Sequence, residues 1–273
     1  YSTLQRLAVE GADSFYRGSL AEDIVRDASL LGMQLGIDDL ENYTPVLHVV
    51  DGFNYRNVTV NSATGLSAGP TLQHALSLLE QKLTDPPVVP DGQLYGAYVA
   101  AMNEAYAERL CGFGDTPEGA IPSCTTHLNV VDREGNVVAL TQTLLSLFGS
   151  KVVLPDTGIL MNNGMMWFDP IPGRANSIAP GKRPLSNMCP VIICDPAGCR
   201  TAIGASGGRR IMSAVLQILS FMVDCQMTVH DAMRQPRIDV SGGTDITIDT
   251  LLDPDIVEYL SRHHSVIAVP PGA

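Results

Sequence analysis

Residues 123–143 read SCTTHLNVVDREGNVVALTQT, and this stretch constrains the chain more than any other. After the small, turn-like Pro122-Ser123-Cys124, residues Thr126, Leu128 and Val130 alternate at the strand period. Arg133-Glu134-Gly135-Asn136 supplies a turn, and Val137 to Thr143 the return strand of a hairpin. Threonine is ordinary strand material, so spacing alone gives Thr125 no chemical role.

The rest of the chain bounds what can surround that hairpin. Its 273 residues, 45% of them hydrophobic, suffice for one large domain or two small ones. A formal charge of -12 argues against nucleic acid and anionic membrane as partners, because phosphate binding needs a basic face. No apolar run reaches the roughly 18 residues of a membrane span; the most apolar stretch, Ile211 to Val223, is broken by Ser and Gln, so a soluble chain is expected. Tyr1-Ser2-Thr3-Leu4-Gln5-Arg6 lacks the charged segment and long apolar core of a signal peptide, and there is no initiator Met.

Six cysteines, at 111, 124, 189, 194, 199 and 225, would permit three disulfides. They form no CxxC and no zinc-like cluster, and buried free thiols are the preferred reading. Free thiols favour a reducing compartment and hence a cytoplasmic location, with the periplasm as the alternative. His263-His264 is not read as a metal site, because adjacent side chains point to different sides of a helix. No cofactor and no metal are expected.

Helical spacing of Leu4, Leu7, Ala8, Ala12 and Phe15 predicts one segment closed by Gly18, followed by a helix from Ser19 or Asp23 to Gly32. A short helical start at Asp38-Asp39-Leu40 precedes expected strands at Val46 to Val50 and Asn57 to Val60. Helices are expected at Thr71 to Leu83, Gly92 to Leu110 and about Arg209 to Cys225. Thr228 and Asp253-Pro254 read as caps of two more, the first stopped by Pro236. The turn Thr64 to Pro70 can be a plain helix entry or an anion site built on a helix N-terminus. Cys111 to Ser123, rich in Gly, Pro and acid, reads as a mobile loop.

TTHLNVVDREGNVVALTQT is followed in order by FGSKV, GILMNN, PGKRPLSNMCP and GASGGRRI. Together with GADSFYRGSLAEDIV and GIDDLENY upstream, these motifs resemble the γ-glutamyltransferase (γ-glutamyltranspeptidase) family of N-terminal nucleophile hydrolases. The resemblance runs across nearly the whole chain and implies an α+β fold, a four-layer αββα sandwich of two sheets faced by helices. It also implies self-cleavage between Cys124 and Thr125. Residues 1–124 would then be part of the large subunit and residues 125–273 the small one, both in one structural domain. By the same resemblance the chain opens part-way into the large subunit, and Pro270-Pro271-Gly272-Ala273 stops short of the family's last strands.

The chemistry explains why a threonine stands at a new chain end. Its hydroxyl is a poor nucleophile until a base takes the proton, and a free α-amine, with an unperturbed pKa of about 8, can do so from the same residue. The resemblance makes Thr125 the nucleophile and Thr143 its hydrogen-bonding partner, with Gly207 and Gly208 as the oxyanion pair. A Gly-rich turn before a helix suits that last role, since two N–H groups there can meet a developing negative charge. Ser186 and Asn187 take the place of two serines that contact the substrate carboxylate, and the Asn amide remains a donor.

The departures bear on substrate. In the family an Asn, a Glu or Gln, and an Asp hold the substrate ammonium; Leu145, Gly164 and Trp167 stand at those places here. An unpaired ammonium in an apolar pocket would cost several kcal/mol. The chain therefore resembles a divergent, oxamate amidohydrolase-type member acting on a small carboxylate-bearing amide without an α-ammonium, oxamate-like or glutaryl-like. The alternatives are a true γ-glutamyltransferase or glutathione hydrolase, and a non-catalytic relative or fragment. Expected partners are the small-molecule amide and the two subunits of one precursor, with a homodimer of the processed pair allowed.

Overall fold

The computed structural model describes residues 1–112, 123–198, 200–241 and 243–270. Their packing separates two units, residues 1–49 with 144–163 and residues 50–143 with 164–273.

In the first unit the single helical segment expected up to Gly18 is corrected to two helices, α1 (Ser2–Glu10) and α2 (Asp13–Arg17). Gly11 divides them with φ 80°, a left-handed conformation that ends a helix and that glycine adopts readily. α3 (Ser19–Leu30) buries Leu20 and Ile24 against Leu154. Asp27 on the same helix has no solvent exposure, and its Oδ2 accepts from the N–H groups of Asp156 and Thr157 at 3.1 and 3.0 Å and from the Thr157 hydroxyl at 3.1 Å. α4 (Ile37–Glu41) falls where the acidic start predicts it. The strand expected at Val46 to Val50 does not form, and Leu47 and Val49 stand in solvent. A β-branched run becomes a strand only when a neighbour completes its ladder.

Along the second unit run β1 (Phe53–Tyr55), β2 (Val58–Ser62), α5 (Gly69–Lys82), α6 (Gly92–Gly112), β3 (Ser123–Val131) and β4 (Val137–Ser146), whose end crosses into the first unit's span. They are followed by β5 (Val191–Cys194), β6 (Arg200–Ile203), α7 (Arg210–Val223), α8 (Val229–Arg234), β7 (Ile238–Asp239), β8 (Asp245–Asp249), α9 (Pro254–Ser261) and β9 (Ser265–Val269). The predicted caps hold: Thr228 Oγ1 accepts from the Asp231 N–H, and the Asp253 carboxylate from the Asp255 N–H.

β1, β2, β5 and β6 make an antiparallel sheet in the order β1-β2-β5-β6. Alternation buries Val58 and Val60 of β2, Val191 and Ile193 of β5, and Ile203 of β6, with Val60 opposite Ile193 and Val191 opposite Ile203. These side chains join Leu72, Leu76 and Leu79 of α5, Tyr98 and Met102 of α6, and Val215, Leu216 and Phe221 of α7 in one core. Each such side chain contributes roughly 1.5–3 kcal/mol of burial. At its edge Asp224 accepts from the Tyr55 and Ser220 hydroxyls, both at 2.5 Å, and from Arg56 Nε at 2.9 Å. Tyr98 donates to Ser220 Oγ at 2.9 Å. Burial and the Asp224 charge push the Tyr55 phenol well above its usual range, so it remains a donor. β7, β8 and β9 form a separate sheet, with β8 and β9 parallel and joined through α9.

β3 and β4 are hydrogen-bonded to each other as a two-stranded sheet, apart from the four-stranded one. Of the expected Cys111 to Ser123 loop, Cys111 and Gly112 belong instead to α6, Ser123 opens β3, and residues 113–122 lie outside the described residues. Five described cysteines are free thiols, and Cys199 lies outside the described set. Among the described residues only Cys189 and Cys225 are buried cysteines, which corrects the expectation of buried thiols throughout; burial pushes both up to about 12. Among the described residues no helix is long and apolar enough to cross a membrane.

Candidate active site

The period of two sorts the hairpin's side chains onto two faces. Thr126, Leu128 and Val130 of β3 and Val138 and Leu140 of β4 are exposed, whereas Thr125 and His127 of β3 and Thr141 and Thr143 of β4 are half-buried. On that second face the Thr125 hydroxyl donates to Thr143 Oγ1 at 3.0 Å, and the Thr143 hydroxyl donates to the Cys124 carbonyl at 3.2 Å. The expected pair is thus brought together. The carbonyl at the end of the relay is that of the Cys124–Thr125 peptide bond.

The same face meets β6. His127 Nδ1 lies 2.8 Å from Thr141 Oγ1, and its Nε2 lies 2.8 Å from Asn129 Oδ1. Asn129 Nδ2 in turn donates to the Ala202 carbonyl at 3.1 Å. Asn129 Oδ1 is an acceptor, so the Nε2 side of the ring offers it a hydrogen. The imidazole rests directly on Gly204, where an added Cβ would come within 2.0 Å of a ring carbon, so only glycine fits. Asn129 at Ala202 and His127 at Gly204 run antiparallel.

Gly207 and Gly208 adopt φ of 128° and 62°, conformations that L side chains rarely take. Arg209 and α7 follow directly. Neither glycine N–H has an acceptor among the described residues. The turn is therefore built as an anion cradle is built, with backbone donors at the positive end of a helix.

Ser186 is buried, its N–H and hydroxyl both donating to the Leu66 carbonyl at 2.9 and 3.1 Å. Asn187 is half-buried, its Oδ1 receiving Arg109 Nη2 at 2.9 Å. The ammonium-clamp positions are occupied as the sequence states: Leu145 sits in β4 with φ 75°, while Gly164 and a half-buried Trp167 bound a 3-10 turn. At Thr64 to Pro70 the helix entry is closed. Ser67 Oγ takes the Gly69 N–H at 3.1 Å, and a Cβ on Gly69 would come within 1.8 Å of the Ala63 carbonyl oxygen, which removes the anion-site reading.

Sequence reasoning missed Arg109. It is 2% exposed and donates to the Ser67 and Ser186 carbonyls, Thr71 Oγ1 and Asn187 Oδ1. The signal was available: Arg109 continues the buried stripe of Tyr98, Met102 and Tyr106, and a cation at an apolar helical position needs partners.

The Gamma-glutamyltranspeptidase family profile matches residues 1–124 and 116–271. The fold resembles that of a cephalosporin acylase from Bacillus halodurans, with a TM-score of 0.85 at 23% identity over 98% of this chain and 55% of that one. The class is therefore an α+β chain with the fold of that acylase. The chain belongs to the gamma-glutamyltranspeptidase family, a family of hydrolases and acylases. It is 30% identical to the glutathione hydrolase proenzyme of Arthroderma benhamiae over 99% of this chain, and 28% identical to the acylase ACY 1 proenzyme of Pseudomonas sp. strain SE83 over 98%. It spans about half the length of those relatives, 55% and 54%.

Proposed function

We propose that the protein is a self-processing amide hydrolase with Thr125 as its N-terminal nucleophile. The observation that carries this reading is the relay from the Thr125 hydroxyl through Thr143 to the Cys124 carbonyl, at 3.0 and 3.2 Å. Thr143 holds the attacking oxygen and polarises the carbonyl it attacks. Oγ1 adds to the Cys124 carbonyl carbon, the C–N bond to Thr125 breaks as nitrogen takes a proton, and an ester remains. Water then cleaves the ester, leaving a Cys124 carboxylate and a free α-amine on Thr125. The cut separates residues 1–124 from residues 125–273, both held in the four-layer sandwich of the superfamily.

In turnover the α-amine accepts the hydroxyl proton as Oγ1 attacks the substrate amide. The Gly207 and Gly208 N–H groups meet the oxyanion, the amine product leaves with the proton, and water releases the acyl group as a carboxylic acid. The acyl group carries its own carboxylate, met at the Ser186-Asn187 turn through the Asn187 amide, and Leu145, Gly164 and Trp167 offer no carboxylate for an ammonium. An oxamate-like or glutaryl-like amide fits. The second reading, a glutathione hydrolase, is favoured by the names of relatives such as that of Arthroderma benhamiae.

Intact mass under denaturing conditions tests the nucleophile. The natural-length protein is expected to split between Cys124 and Thr125 and the Thr125→Ala variant to stay whole; a wild type that stays whole removes the mechanism. Faster turnover of a γ-glutamyl amide than of a plain diacid monoamide would replace the first reading with the second.

A further inference from the structure

One face of α6 ties together the two turns on which this substrate reading depends. Tyr106 donates to the Arg209 carbonyl at 2.5 Å, one residue beyond Gly208. Arg109, one helical turn further on, donates from Nη2 to the Ser186 carbonyl at 2.8 Å and to Asn187 Oδ1 at 2.9 Å. Its Nη1 donates to the Ser67 carbonyl at 3.2 Å and Thr71 Oγ1 at 3.3 Å, which anchors the guanidinium to the start of α5. At 2% exposure Arg109 is shielded from a substrate; what it touches is the Ser186-Asn187 turn.

A guanidinium has five N–H donors and no acceptor, so it fixes which end of the Asn187 amide faces it. Oδ1 points to Arg109 and Nδ2 points away, with no acceptor for its hydrogens among the described residues. The Ser186 hydroxyl is meanwhile engaged by the Leu66 carbonyl. The outward donor of the turn is therefore Asn187 Nδ2. An asparagine without the arginine would be free to flip and present an oxygen, which repels a carboxylate.

We propose that Arg109 is a positioning residue for the substrate carboxylate, acting through Asn187 by holding its amide N–H group outward at a fixed distance from the Gly207-Gly208 turn. This rests on the reading of the Ser186-Asn187 turn as the carboxylate contact. Lysine at 109 would keep the charge but lose the fork that grips two acceptors at once.

The test uses processed, natural-length protein with glutaryl-p-nitroanilide and pentanoyl-p-nitroanilide, which differ in the terminal carboxylate. Arg109→Lys is expected to raise KM for the glutaryl substrate by about tenfold, the worth of one charge-assisted hydrogen bond, while kcat falls by no more than about twofold. Asn187→Asp, which keeps the acceptor for Arg109 and replaces only the outward N–H group, is expected to erase the glutaryl preference. Arg109→Lys added to Asn187→Ala is expected to cost little more than Asn187→Ala alone. A wild type without glutaryl preference defeats the carboxylate reading and the role of Arg109 with it. A preference that survives in Arg109→Lys, or a loss shared equally by both substrates, defeats the role of Arg109 alone. Should Arg109→Lys fail to fold, Asn187→Asp decides: an unchanged preference overturns the proposal.

Discussion

The core of the second unit and the hairpin that carries Thr125 are built on opposite terms. In the core, Leu72, Leu76, Val215, Leu216 and Phe221 have no exposure at all, and even the Asp224 carboxylate is enclosed by donors. The hairpin leaves one face open, with Leu128, Val130, Val138 and Leu140 between 39% and 52% exposed, and places Thr125, His127 and Thr143 on the other. A two-stranded ribbon is marginal by itself. Its position comes from a few polar contacts to β6 and from the close fit of His127 on Gly204. Stability is concentrated in one region and candidate chemistry at the border of the other, so substitutions should separate the two.

The largest effect expected belongs to the hairpin. Thr143→Val keeps shape and removes both hydrogen bonds of the relay, and should slow self-cleavage by on the order of 10²–10³-fold with little change in melting temperature. A time course of chain splitting by denaturing mass spectrometry checks it. Unchanged cleavage would show that the relay is structural and would break the contrast.

Leu216→Ala in the core should do the reverse. A cavity at a fully buried leucine costs about 2–5 kcal/mol, read by denaturant unfolding, while cleavage in the folded fraction stays at the wild-type rate.

Alkaline pH sharpens the same contrast. Burial raises the phenols of Tyr55, Tyr95, Tyr98 and Tyr106 above their usual value. The unfolded chain then loses protons from about pH 10 upward while the folded chain keeps them, so stability is complete below that pH and falls above it. In an absorbance titration these four should ionise together with unfolding.

The smallest effect is expected on the open face. Leu140→Ser should change the stability of the 273-residue chain by no more than about 0.5 kcal/mol, as at other exposed sites. A much larger loss in a natural-length protein would show that further chain covers the ribbon there.

The amino-acid sequence by itself determined the local pieces. Alternation and the turn at Arg133 to Asn136 specified β3 and β4, the caps Thr228 and Asp253 specified α8 and α9, and paired glycines specified a turn of positive φ before α7. These follow from neighbours in the chain, where periodicity and capping act. The ordered motifs also carried the family and the pairing of Thr125 with Thr143. Tertiary structure decided what depends on distant partners. Val46 to Val50 found no strand to pair with, Ser67 and Ala63 closed the entry of α5, and the hairpin formed a sheet of its own. Arg109 took its partners from residues 67, 71, 186 and 187, which only folding brings to one guanidinium. Hydrogen bonds and burial act over a few ångströms in space, and no spacing along the chain encodes which remote groups will come within that reach.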